Sequence, residues 1–572
     1  MFLTENALQI LSERYLLPGE SPEDRFLAIS QHLAEAETSN KSYWTESFFE
    51  GFNNRYFIVN SPVLANYGVP FREPQGSACF VLDIEDDLIK IGETKTKAML
   101  IQRSGGGTGI NFSPLRPRGA LVKSTGRPTS GVIPFITSFN YDLLAISQGG
   151  LRNGAAMAVL NCDHPDLIDF IQAKNNERDL TAFNLSVGIT DSFMDAVYNN
   201  QDWELSWTNQ SGYKEISRIY KAREIFSLLV EKAHHNGEPG VIFLDRLKET
   251  NPIPENQLDC TNPCGEQPLS PWESCVLGHL NLATHIKTSG EIDWERLKLN
   301  THLLVRVLDN IVTLNQYPLE IIKHTHNQTR KIGLGITGLA DFLIVLGLPY
   351  DSPEGRETAE NLMRFISSEA FKASIDLGIE KGSFPLFTRS IYYGKVPALR
   401  NAARTSIAPT GTTSTLLGTE GFGIEPLIAL SYQRNILDGK ALSHFSQLLI
   451  TLGEKQGWLT SDMLNITKET GSLKNTNAPR RVKEVFKTAS EISPSDHLKM
   501  LTALQPWIDA GISKTVILPE DFPVNKTYDL FLEAYQNKII KGLTVFREGS
   551  RADAPIQTNQ SPSKGIVCIG CD

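Results

Sequence analysis

Hydrophobic positions recur at helical spacing through residues 1–55, most clearly from Glu23 to Glu37, with good helix formers between them. Pro18-Gly19 interrupts the pattern, so residues 1–55 are predicted as a helical N-terminal region with a break near its start. From about residue 56 the pattern changes. Short apolar runs, Cys79-Phe80-Val81-Leu82 and Gly240-Val241-Ile242-Phe243-Leu244, alternate with helical stretches such as Ala222 to Ala233, which predicts an α/β body. No repeat of fixed period is present. Ala552 to Lys564, rich in Pro, Ser, Asn and Gln, reads as a flexible linker. Its dozen residues would reach roughly 20 Å by random-coil scaling.

The 572 residues would make about four domains at roughly 150 residues each, but single α/β barrels often exceed that unit. With 41% hydrophobic and 21% charged residues the chain has the composition of a globular protein. A net charge of −10 argues against broad binding to nucleic acid, which needs excess cations to displace counterions. Small anions remain open as ligands, since loop amides hold them locally. Met1 to Asn6 lack a basic start and apolar core, and no uninterrupted apolar run reaches about 18 residues; the predicted location is cytoplasmic, without membrane contact.

Seven cysteines in so long a chain do not make a disulfide scaffold. Cys260, Cys264 and Cys275 lie close together, Cys568 and Cys571 form a Cys-x-x-Cys beside the C-terminus, and Cys79 and Cys162 stand alone. In Asn262-Pro263-Cys264-Gly265-Glu266 a thiol and a carboxylate are two residues apart. The same pentapeptide also reads as a tight turn around a small buried cysteine. Cys260, Cys264, Cys568 and Cys571 together would make a zinc site, but neither pair has His or Cys neighbours and one sits at a chain end. Cys79 alone fits a core strand. Ala408-Pro409-Thr410-Gly411-Thr412-Thr413-Ser414 offers hydroxyls and amides to an anion, or is an ordinary loop. Gly105 to Gly109 is no P-loop, because no Gly-Lys-Ser/Thr follows, and it departs from the dinucleotide fingerprint after Gly109.

Taken in order, these motifs resemble the catalytic chain of ribonucleotide reductases. The 262–266 run resembles the family's finger loop, which implies that Cys264 carries a thiyl radical, Asn262 holds the substrate 2'-OH and Glu266 takes the 3'-OH proton. Cys79 and Cys275 resemble the redox pair that reduces the 2'-carbon, and Cys568 and Cys571 the shuttle dithiol that restores it. Pro409, Thr410, Gly411, Thr412 and Thr413 match the phosphate-binding loop, and Ser61, Ser77 and Gly107 match further substrate contacts. Asp86 and Arg116 correspond to effector-binding residues, as does Arg152 in Gln148 to Ala156, where many relatives have a second arginine in place of Asn153. Cys260 is left as a packed, inert thiol.

The resemblance continues through Asp163-His164-Pro165-Asp166, Phe183 to Val187, Gly333-Leu334-Gly335 and Ile512 to Thr515. It implies a ten-stranded α/β barrel of two five-stranded halves around a central finger loop, over residues 56–551, with a redox tail at 552–572. Lys541-Gly542-Leu543-Thr544-Val545-Phe546-Arg547-Glu548-Gly549-Ser550-Arg551 resembles the signature of class II enzymes, in which adenosylcobalamin generates the radical. Class I enzymes, the main alternative, need two adjacent tyrosines there; Tyr392-Tyr393 precedes the phosphate loop and is out of place. The tail lacks the glycyl-radical motif of class III. The start resembles the reductase body without a preceding ATP-cone, so specificity control without an overall-activity switch is expected. The implied partners are a ribonucleotide substrate, a dNTP or ATP effector and a thioredoxin-like reductant; a homodimer is compatible with the family, and a nonenzymatic nucleotide-binding protein is the remaining alternative.

Overall fold

The computed structural model describes residues 3–147, 154–209, 211–435, 441–551, 556–558 and 561–565. Contacts divide the chain into two compact units otherwise than by position along it: one holds residues 1–78, 275–517 and 551–572, the other 79–274 and 518–550.

The first unit opens with three helices, Glu5–Arg14, Pro22–Ala34 and Lys41–Asn53. Ser21 and Asp24 form a reciprocal capping box around Pro22, satisfying amides that a helix start leaves unpaired. Phe26, Ile29 and Leu33 turn inward onto Phe48 and Phe52, with Phe26 and Phe52 stacked at 5.6 Å. Each such burial contributes about 1.5–3 kcal/mol. The second helix ends at Ala34, short of the predicted Glu37, because Glu37 turns inward to accept from Asn310 Nδ2 (2.7 Å) and to pair with Arg306 (2.9 Å) and Lys381 (3.0 Å).

The unit's sheet begins with Phe57–Val59 antiparallel to the Cys275–Asn281 stretch of the next strand, which runs parallel to Ile332–Thr337. Parallel bridges Leu334 to Thr405 and Ile407 to Ile512 extend it. Helix Trp294–Leu314 covers one face. On that helix Asp309, fully buried, pairs with Arg330 (2.7 Å) and Arg400 (3.1 Å). Burial pushes its carboxyl pKa up, but the two guanidiniums outweigh this and hold it below the ordinary range. Its contribution to stability is therefore full above the ordinary carboxylate pKa and lost as pH falls through the depressed value. Asp309→Ala strands one buried and one half-buried cation and is expected to cost about 3–5 kcal/mol in urea unfolding; an unchanged midpoint would show that the cluster is not structural.

The second unit carries five parallel strands in the order Cys79–Leu82, Gly107–Asn111, Ala156–Asn161, Phe183–Ile189 and Gly240–Phe243, with Gly542–Arg547 antiparallel to the last. Their residues are nearly all buried, as in parallel sheets covered on both faces, which is why they read as unbroken apolar runs. Helices Leu88–Arg103, Val132–Ser147 and Ala222–Asn236 lie between strands in the sequence. The α/β class and helical N-terminal region are thus observed.

Of the tail, Ile556–Thr558 and Ser561–Gly565 are strands, the first paired with Ser431–Asn435. Cys568, Cys571, Arg152 and the 148–153 segment lie outside the described residues. Among the described residues no helix is long and apolar enough to cross a membrane.

Candidate active site

In the second unit Cys260–Thr261 pairs antiparallel with Pro268–Leu269, so residues 262–267 form the tip of a hairpin. Three bonds close it: Asn262 N–H to the Gln267 carbonyl (3.1 Å), Gly265 N–H to the Asn262 carbonyl (3.1 Å) and Gln267 N–H to Asn262 Oδ1 (2.9 Å). Gly265 adopts φ +82°, which only glycine takes without strain, and a β-carbon there would meet no atom within 4 Å. Asn184 Nδ2 donates to the Pro263 carbonyl (2.9 Å) and holds the tip from the sheet. Gly107, a predicted substrate contact, lies under it: a β-carbon at 107 would come within 2.9 Å of Pro263 Cγ.

This hairpin sets two predicted residues against the thiol of a third, Cys79. Asn262 Nδ2 donates to Cys79 Sγ at 3.2 Å, and Cys79 Sγ lies 3.8 Å from Glu266 Oε1. Asn262, Glu266 and Cys79 are all buried, whereas Cys264 at the tip is half-buried, unlike the other four described cysteines. Desolvation keeps an amide and a carboxylate beside a thiol strongly coupled, which suits proton transfer at that sulfur. Cys260 and Cys162 are of another kind. Burial pushes the Cys260 thiol well up and Cys162 up to about 12, so neither supplies a thiolate near neutrality. Among the described residues no group of three or more His, Cys, Asp or Glu side chains is placed to hold a metal ion.

In the first unit Cys275 is buried on the strand beginning at Glu273, its Sγ 3.4 Å from the Val276 carbonyl and 3.8 Å from that of Lys331. Ala78 N–H donates to the Cys275 carbonyl (3.2 Å). Ser77 is buried, its hydroxyl accepting from Asn315 Nδ2 (2.9 Å), and Ser61 accepts from the Tyr15 hydroxyl (3.0 Å).

The Pro409–Thr413 loop leads into helix Gly411–Leu417. Thr410 sits at φ +60°, a costly conformation for a β-branched residue. Its hydroxyl meets those of Thr337 (3.0 Å) and Ser414 (2.8 Å) and accepts from Gly423 N–H (2.7 Å). That inward network fixes the turn that starts the helix.

Asp86 and Arg116, both predicted for an effector, are here each other's partner: Arg116 Nε lies 2.8 Å from Asp86 Oδ2, and Arg116 N–H also donates to Asp86 (3.1 Å). Asn184, Asn315 and Thr337 are not among the residues the sequence marks as site residues: Asn184 lies within the Phe183 to Val187 run, and the other two carry no local signal.

The ribonucleotide reductase barrel domain matches residues 77–546, and the all-alpha domain of the same large chain matches residues 1–72. A vitamin B12-dependent ribonucleoside-diphosphate reductase of Mycobacterium tuberculosis is 40% identical over 558 residues, covering 95% of this chain and 79% of that one. A protein of the same name from Thermoplasma acidophilum is 38% identical over 522 residues, covering 90% and 67%. Among solved structures, the alpha subunit of an Actinobacillus ureae class Id ribonucleotide reductase has the same fold, with a TM-score of 0.78 at 21% identity over 95% of this chain and 97% of that one. A buried thiol, Cys79, beside an amide and a carboxylate of a hairpin thus stands on a fold shared with the ribonucleotide reductase large chain. The chain belongs to the ribonucleotide reductase family, as its large, barrel-bearing chain.

Proposed function

We propose that this chain is an adenosylcobalamin-dependent ribonucleotide reductase that converts ribonucleotides to 2'-deoxyribonucleotides through a thiyl radical on Cys264. The observation that carries this reading is the grouping of Asn262 and Glu266, on the hairpin whose tip presents Cys264, against the thiol of Cys79. Cys264 takes the ribose 3'-hydrogen and later returns one. Glu266 accepts the 3'-OH proton, help commonly worth about 10²–10⁴ in rate. Asn262 holds the 2'-OH, which leaves as water. Cys79 and Cys275 give up two electrons and two protons and become a disulfide, so the overall change is ribonucleotide plus two thiols to deoxyribonucleotide, water and one disulfide. Cys568 and Cys571 reduce that disulfide by exchange and are recharged by a thioredoxin-like protein.

The residues fit the cofactor in two respects. The half-buried Cys264 and the open space beside Gly265 leave the tip approachable, and Val545 and Phe546, both buried, offer no redox-active phenol. When bound, adenosylcobalamin supplies the one-electron chemistry that removes hydrogen from a thiol; Cys264 and Gly265 are the residues it would face. Relatives named as ribonucleoside-diphosphate reductases favour diphosphate substrates. A dNTP or ATP effector would engage Asp86, Arg116 and Arg152 and set base preference, in a cytoplasmic protein that is compatible with a homodimer.

The test is turnover by the purified chain with adenosylcobalamin, a small dithiol and each ribonucleoside di- and triphosphate. Activity with cofactor alone is expected. Activity that ignores the cofactor and requires a metal-containing partner protein would overturn the class II reading.

A further inference from the structure

The strand carrying Cys275 has two unlike faces. Val276 and Leu280 belong to the apolar core, and Gly278 lies against Leu304 and Leu308 of the covering helix. Cys275, Leu277, His279 and Asn281 alternate to the other side. The neighbouring strand repeats this: Ile332, Leu334 and Ile336 join the core, so Gly333, Gly335 and Thr337, registered opposite Leu277, His279 and Asn281, share the face of Cys275. That face bears a redox thiol at one end and, at the other, Thr337, whose hydroxyl anchors Thr410 of the anion loop.

Between them stands His279. It is 3% exposed, and its Nδ1 has no hydrogen-bond partner among the described residues. Its pKa is lowered to about 4 by burial, with no carboxylate opposing, so the ring is neutral. The backbone of Gly335 makes room for it: a β-carbon at 335 would lie 3.3 Å from the imidazole Nδ1. Burying a ring nitrogen without a hydrogen bond is costly, and a bound ligand can supply the missing partner. Strand rise puts His279 about 13 Å along from Cys275, on the scale of the reach from a nucleotide's ribose to its terminal phosphate.

We propose that His279 is a substrate-positioning residue that hydrogen-bonds a terminal phosphate oxygen of the ribonucleotide seated at Pro409–Thr413. This rests on the reductase reading above. A neutral imidazole suits the task, because it donates to phosphate from one nitrogen without placing a fixed charge beside the redox thiols.

The experiment measures equilibrium binding of CDP and CTP to the purified full chain without cofactor, for the native protein and for His279→Gln and His279→Ala, and follows the His279 imidazole by NMR as nucleotide is added. We expect about tenfold weaker nucleotide binding for His279→Ala, as for a lost bond to a charged group. His279→Gln, which keeps a donor, should restore most of it, and the native His279 resonances should shift on binding. Native-like affinity in His279→Ala, or imidazole resonances unmoved at saturating nucleotide, would overturn the proposal. If His279→Ala does not fold, the native resonances and the His279→Gln affinity decide. Should the native chain bind and reduce ribonucleotides while His279 proves indifferent, only this inference falls; should it bind no ribonucleotide, the reductase reading falls first.

Discussion

Cys264→Ser is expected to reduce deoxynucleotide formation to background, a fall on the order of 10⁴-fold or more, with fold and nucleotide binding nearly intact. The side chain is the half-buried tip of a hairpin that is closed by backbone and side-chain bonds of Asn262, Gly265 and Gln267. Serine fits the same space. Its O–H bond is too strong to be replaced by a radical under the conditions that suffice for a thiol, so the lesion is confined to chemistry. Turnover and nucleotide binding measured on one preparation separate the two effects, and retained turnover would remove Cys264 from the mechanism.

The cysteine pairs should give different phenotypes. Loss of Cys79 or Cys275 removes an electron donor at the substrate and should stop reduction even within one turnover. Loss of Cys568 or Cys571 should allow about one product per active site and then stall, with a small external dithiol restoring steady turnover. Rapid-quench product counting reads this directly. Tail variants that fail in the first turnover would show that the terminal dithiol is not a shuttle.

The sequence made some of this legible and hid the rest for physical reasons. The strand at Cys79–Leu82 matches its apolar run residue for residue, and the helix Ala222–Asn236 extends the predicted one by a turn, because burial on both sheet faces and one-sided helix burial write themselves into local pattern. Cys264, Glu266 and Asn262 were readable because the hairpin packs its chemistry into five consecutive residues. The hairpin itself was not, since its strands are two residues each. Asn315 reaches Ser77 across 238 positions, Thr337 reaches Thr410 across 73, and Asn184 reaches Pro263 across 79, so no window of sequence contains both partners. The division into units was hidden for the same reason: it cuts between Ala78 and Cys79 and between Ser274 and Cys275, where the apolar pattern shows no break.

The pairing of Asp86 with Arg116 changes what kind of ligand that corner of the second unit can select. An arginine waiting alone would collect any passing phosphate. Here its charge is already capped, so a lone anion gains little: it must break the pair and leave a carboxylate stranded. A molecule that offers phosphate to Arg116 and hydroxyls to Asp86 at once replaces both halves of the exchange. At the effector site proposed above, the pair would thus act as a two-key lock, discriminating whole nucleotides from inorganic phosphate through the cost of opening rather than through added contacts.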